Sequence, residues 1–183
     1  STPQGHLLVY FETADQLHRF FGKLNISDDR KVCHDTIPQC LRLAAEFSGF
    51  GICAHIELDS GLEKAAPKFD AFKQEVFNCP NLLGLEIAHA SNSTLFSHDD
   101  ADANRRNCAV TRCTALGLED GVDLAKVMSS DAHSLYALGR NASGNKKLTR
   151  LKMEALTFAS LRIALMDATA RVAEVGDGPH VCC

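Results

Sequence analysis

The chain has 183 residues, 45% hydrophobic and 23% charged, which is enough for one domain with a sizeable core. A net charge of −4 gives no bulk electrostatic grip on a polyanion, so contact with nucleic acid would need a local basic patch. No run approaches the length of a membrane span, and no basic-then-apolar leader opens the chain.

Eight cysteines are too sparse for a disulfide scaffold and form no paired CxxC knuckles, which argues against a zinc ribbon. Cys53 lies in an apolar run and reads as core, and the terminal Cys182-Cys183 pair as a frayed end. The triplets at Asn25, Asn92 and Asn141 read as chance glycosylation matches. A reducing, cytoplasmic setting is the expectation.

In chain order, His6 to Phe11 reads as a buried strand with a polar residue at its entry. Thr13 to Gln16 forms a capping-box signature before a helix with Leu17, Phe20 and Phe21 on one face. A second helix is expected from Asp35 to Phe47, ended by Gly49. Gly51 to Leu58 reads as a second strand with His55 near its C-terminal end. A helix over Phe69–Phe77 precedes a third strand, Leu82 to Ala88, carrying Glu86. The polar stretch 91–107, with Asp99, Asp100 and Asp102 against Arg105 and Arg106, reads as a solvated loop. A strand then leads into Asp131, followed by a strand near Lys147–Met153 and a capped helix over Thr157–Asp167. Alternating short strands and helices predict an α/β fold with parallel pairing.

The stretch from Lys126 to Ser134 draws attention because a short apolar run ends in small polar residues and then sets Asp131 and His133 two positions apart. In an extended backbone both side chains point to one side, and a carboxylate beside a neutral imidazole suits a divalent cation. The plainer alternative is a short helix capped by Ser130 and ended by Gly139, with His133 on the surface. His6, His55, Glu86 and Asp131 all stand near strand ends, where function collects in barrel-like α/β folds; His6 is awkward because it opens its strand. His89 reads as structural or exposed, and His18, His34, His98 and His180 as surface. Lys146, Lys147, Arg150 and Lys152 form a basic run, read either as a solvated face or as a phosphate-steering patch.

Four pieces in order resemble the PHP (polymerase and histidinol phosphatase) superfamily: His6-Leu-Leu, Ala54-His55, Leu85-Glu86-Ile87, and Ser130-Asp131-Ala132-His133 followed by Leu138-Gly139-Arg140. The resemblance spans about residues 5–175, with 176–183 as a tail, and implies the C-terminal part of a distorted (β/α)7 TIM-like barrel that hydrolyses phosphoesters. The closing section, Lys147 to Met153 and then Leu156 to Asp167 with Arg171-Val172, looks like PHP domains fused to a large ATPase of the AAA-like or ABC-like kind.

By resemblance, His6 and His55 share one metal, Asp131 holds a second and His133 a third, with up to three Zn, Mn or Fe ions in a complete site. Asp131, His133 and Arg140 would be the catalytic residues, and Arg140 with Lys147 would meet a substrate phosphate. Glu86 would touch a ligand histidine or a metal. The family's His-x-His, its further Asp and His ligands and its bridging glutamate have no counterpart, and Ile56 stands where proline is common. The expectation is therefore a portion of a longer protein whose opening strands lie elsewhere. The alternative is a degraded site.

The functional expectation is a nuclease-like phosphoesterase acting on nucleic acid or a nucleotide, partnered by an ATPase domain. Two rivals are a catalytically incomplete module that regulates an ATPase, and a small-molecule phosphatase of the histidinol-phosphate type. No GxxxxGK[ST] is present, so no ATPase lies in these residues.

Overall fold

The computed structural model describes residues 2–174 except 131, 133, 142 and 145. A four-stranded sheet forms its centre. β1 (Leu7–Tyr10) leads to α1 (Ala14–Phe21), whose Thr13 hydroxyl accepts from Gln16 N–H while the Gln16 side chain accepts from Thr13 N–H. Thr36 and Gln39 repeat this reciprocal cap at the head of α2 (Ile37–Glu46), so the polar residues at both helix starts satisfy backbone donors with no intrahelical acceptor.

β2 (Phe50–Cys53) is followed by α3 (Leu62–Ala65), α4 (Ala71–Phe77), β3 (Leu82–Glu86), α5 (Ala103–Leu116) and β4 (Ala125–Val127). β5 (Thr149–Leu151), α6 (Phe158–Met166), α7 (Ala168–Arg171) and β6 (Val172–Glu174) complete the order. The sheet order is β1-β2-β3-β4, and β5 pairs with β6 in a separate antiparallel ribbon.

Both faces of the central sheet are covered. Leu82 and Leu85 pack with Ile37, Leu41, Leu62, Phe77 and Phe96 on one side, while Phe50, Ile52 and Leu83 meet Leu165 on the other, with Phe158 against them. This two-sided burial explains why β2 and β3 read as unbroken apolar runs instead of alternating. Among the described residues no helix is long and apolar enough to cross a membrane.

Four expectations need correction. β1 runs antiparallel to β2, with Leu7 opposite Cys53, whereas β2/β3 and β3/β4 are parallel as expected. The second strand stops at Cys53 rather than Leu58, because the chain turns sharply at His55, where φ is +28°. The stretch 91–107 is no solvated loop: Asp100 is buried, Asp102 caps α5 through the N–H groups of Asn104 and Arg105, and α5 already begins at Ala103. His98 is half-buried, its Nδ1 2.7 Å from Asp123, not a surface residue.

Arg105 grips Asp100 with Nε at 2.7 Å and Nη2 at 3.0 Å, and reaches Glu63 of α3 at 2.8 Å. Burial pushes the Asp100 carboxyl up, but hydrogen bonds from Arg105 and from the N–H groups of Asp102 and Phe96 outweigh it and hold it below the usual carboxylate range.

Candidate active site

Antiparallel pairing resolves the awkward position of His6. Because β1 runs opposite to β2, the start of β1 lies beside the end of β2, at the rim where β3 and β4 also finish. Ala54 N–H donates to His6 C=O at 3.0 Å, which continues the ladder one step past the strands. His6 N–H donates to Ser60 C=O at 3.0 Å, tying the start of β1 to the turn after β2. The two imidazoles meet there: His6 Nδ1 is 3.1 Å from His55 Nε2, the rings edge to face.

His55 is held by its backbone. Its N–H donates to Glu86 Oε2 at 3.1 Å, and Ser129 Oγ donates to Glu86 Oε1. Both oxygens of this buried carboxylate are thus engaged, joining the ends of β2, β3 and β4. Glu86 therefore contacts the main chain of His55, not the ring, a refinement of the expected contact with a ligand histidine. Its charge also adds to the effect of burial in pushing the Tyr10 hydroxyl up.

The positive φ at His55 is an uncommon conformation for a residue with a side chain, and such strain persists where surrounding contacts over-determine it. Gly61 supplies one such contact. A Cβ there would lie 2.3 Å from His55 C=O and 2.5 Å from Ile56 C=O, backbone atoms that cannot swing aside. Gly61→Ala should therefore lower stability by about 2–4 kcal/mol, read as a fall in the thermal midpoint. A midpoint unchanged within error would show that the turn has room to move.

The imidazoles open onto a cavity of about 500 Å³ lined by His6, His55, Glu86, Ser129, Ser130 and Ala132, among others. Asp131 and His133 lie outside the described residues, although their neighbours Ser130 and Ala132 line this cavity. Arg140 and Lys147 do not line it. They line a second cavity of about 440 Å³ that shares Ser129, Ser130 and Leu138 with the first. Arg140 Nη1 donates to Gly144 C=O at 2.9 Å. Ser129 and Ser130 were not singled out as site residues. Ser130 Oγ accepts from Gly139 N–H at 3.0 Å, and the sequence signal for either serine is a small polar pair before Asp131.

Among the described residues no group of three or more metal-ligating side chains forms. The His6–His55 pair nevertheless suits a shared ion. Two nitrogens at ~2.0–2.1 Å from one tetrahedral ion stand roughly 3.3 Å apart, and the observed separation is 3.1 Å. His55 Nδ1, the ring nitrogen not turned to His6, is buried with no hydrogen-bond partner among the described residues.

With this geometry in place, the chain can be set beside known proteins. No family model matches it, and no curated protein matches it. Two solved structures do. One is endonuclease Q in complex with a 27-mer duplex substrate bearing an abasic lesion at the active site, at 18% identity and a TM-score of 0.62, over 92% of this chain and 38% of that one. The other is the lesion-specific endonuclease PfuEndoQ from Pyrococcus furiosus, at 19% identity and a TM-score of 0.63, over 93% of this chain and 38% of that one. The fold resembles that of endonuclease Q. This likeness supports a mixed α/β fold with parallel strands; it shows neither a (β/α)7 barrel nor a fused ATPase. The chain spans 38% of the length of each neighbour.

Proposed function

We propose that this chain forms part of a metal-dependent phosphoesterase acting on nucleic acid. The observation that carries the reading is the meeting of His6 and His55, 49 residues apart, with their ring nitrogens 3.1 Å from each other in a rim cavity. His6 and His55 would hold one ion, and Asp131 and His133 would serve further ions, with Zn, Mn or Fe suited to mixed nitrogen and oxygen donors. Such ions, when bound, orient a phosphate, offset its developing charge and acidify a water.

The chain's own residues then have distinct tasks. Glu86 fixes where His55 stands by accepting from its N–H, and Ser129 fixes Glu86. Arg140 and Lys147, across the shared wall, would attract the phosphate's charge. Nucleic acid is favoured over a small phosphomonoester because both structural neighbours are endonucleases, one of them in complex with a 27-mer duplex substrate. The four-stranded sheet is read as a sector of a (β/α)7 barrel, and the closing section's resemblance supports an ATPase partner.

The test is hydrolysis by the full-length protein. An oligonucleotide and bis(4-nitrophenyl) phosphate should be cleaved with Mn²⁺ or Zn²⁺ and left intact in excess chelator. Cleavage of phosphomonoesters but not oligonucleotides would point to the small-molecule phosphatase, and no hydrolysis with Mn²⁺, Zn²⁺ or Fe²⁺ would leave the incomplete module.

A further inference from the structure

The phosphoesterase reading uses Arg140 and Lys147 of the second cavity and leaves Lys146 and the turn before Arg140 without a task. Residues 134–140 wind in successive turns: Ala137 N–H donates to Ser134 C=O, Leu138 N–H to Leu135 C=O and Arg140 N–H to Ala137 C=O. This winding aims neighbouring side chains in different directions. Leu135 and Tyr136 stand out in solvent, 93% and 86% exposed, whereas Leu138 forms part of the wall shared by the two cavities. Arg140 lines the second cavity, opposite Lys146 and Lys147, and the backbones of Arg140 and Lys146 pair in an isolated antiparallel bridge. Three cationic side chains line this cavity and no carboxylate is among its described lining residues, although the chain as a whole carries −4.

A single exposed apolar side chain needs no explanation. An exposed aromatic ring beside a concave cationic pocket is a more specific arrangement. A nucleotide matches it part by part: the phosphate is a compact anion that fits a basic concavity, and the base is a flat face that stacks on an aromatic ring. An anionic membrane would also supply negative charge, but it favours a broad apolar face in one plane. Here the exposed apolar side chains, Leu135, Tyr136 and Leu138, share one short turn, and the cations lining the cavity beside it are Arg140 and Lys146, both exposed, and the half-buried Lys147.

We infer that Tyr136 and the Arg140–Lys146–Lys147 cavity bind an unpaired nucleotide of a DNA strand, the base stacked on Tyr136 and its phosphate in the cavity, next to the histidine cavity. The inference rests on the phosphoesterase reading for the identity of the strand. It adds that the substrate is a polynucleotide held at two adjoining positions, with at least one base out of the duplex.

Binding without turnover tests this. The full-length protein in chelator would be titrated into a fluorescein-labelled 15-mer of oligo-dT, and anisotropy followed between 50 and 300 mM salt. Tyr136→Ala should weaken binding by about 5- to 150-fold, the range for losing one base stack, and Tyr136→Phe should bind as wild type does. The double variant Lys146→Gln/Lys147→Gln should make the slope of log K against log salt shallower by up to ~0.7, the value for one lost phosphate contact on a single strand. Tyr136→Ala affinity within twofold of wild type together with an unchanged salt slope would overturn the inference. So would a Tyr136→Ala defect seen on phosphatidylserine vesicles or on a protein partner but not on oligo-dT. Wild-type hydrolysis of bis(4-nitrophenyl) phosphate, which has no base or second phosphate, judges the phosphoesterase reading separately. Either can fail while the other stands.

Discussion

Replacing His55 by asparagine in the full-length protein is expected to lower metal-dependent phosphodiester hydrolysis by ~100-fold or more, with less bound metal by elemental analysis. Removing a group that merely orients a ligand costs 10–100-fold, so removing a ligand itself should reach at least the upper end. Asparagine is the informative replacement because φ at this position is +28° and Asn tolerates positive φ better than most residues. The variant then loses the imidazole without adding backbone strain, and its N–H can still donate to Glu86. His6→Ala should have a comparable effect. The double variant should be little worse than either single one, because both rings serve one position. Full activity in both single variants, with thermal unfolding unchanged, would remove the histidine pair from the chemistry.

The elements best read from sequence are those with local chemical punctuation. Thr13 with Gln16 announces α1 because a capping box is a contact within four residues, whereas α2 is read from its apolar spacing and the Gly49 after it, and its Thr36–Gln39 box is seen only in the structure. Thr157 marks α6 as a simple N-cap. α5 was missed because its buried side includes Cys108, Ala109, Arg112 and Cys113, a stripe too short and too polar to stand out. The direction of β1 cannot be read locally either, since strand orientation depends on pairing with residues 40 to 46 positions away. That error had a consequence for the site. With parallel pairing His6 would sit at the wrong rim, and antiparallel pairing brings it to His55.

At the rim of the sheet the rings of His6 and His55 meet, and Glu86 accepts from the His55 main chain. Arg140 and Lys147 occupy an adjoining cavity, a separation of a few residues' reach that linear spacing cannot resolve. Asp131 and His133, together with the Cys182-Cys183 pair and His180, fall outside the described residues.

Arg112→Met should lower the stability of the fold by roughly 2–4 kcal/mol, although it swaps a charged residue for an apolar one. Arg112 is 6% exposed on α5, and its guanidinium donates to the carbonyls of Phe77, Cys79 (3.0 Å) and Leu82 (3.0 Å). These acceptors lie where α4 ends and β3 begins, so one side chain fastens α5 to the entry of the strand carrying Glu86. Two effects oppose each other. Burial pulls the guanidinium down to about 10, and with ~1.4 kcal/mol per unit the buried charge costs about 3 kcal/mol that methionine would recover. Against this, the carbonyls of Phe77 and Leu82 would lose this donor at ~1–3 kcal/mol each, and that of Cys79, which keeps Leu82 N–H at 3.1 Å, would lose its second at about 1 kcal/mol. The carbonyls prevail because the guanidinium reaches all three at once from one buried position. The folded-state value lies below the unfolded one, so the cost of the charge is constant below pH about 10 and is relieved only as pH rises above it. The difference between wild type and variant should accordingly stay flat between pH 6 and 9. At ~2–4 °C per kcal/mol for a chain of this size, the thermal midpoint should fall by about 4–16 °C. Arg112→Lys should recover only part of the loss, since an ammonium lacks the planar fork that spans three acceptors. A midpoint for Arg112→Met within 2 °C of wild type would mean that the carbonyls find other partners and that α5 is held by its cysteine and alanine contacts alone.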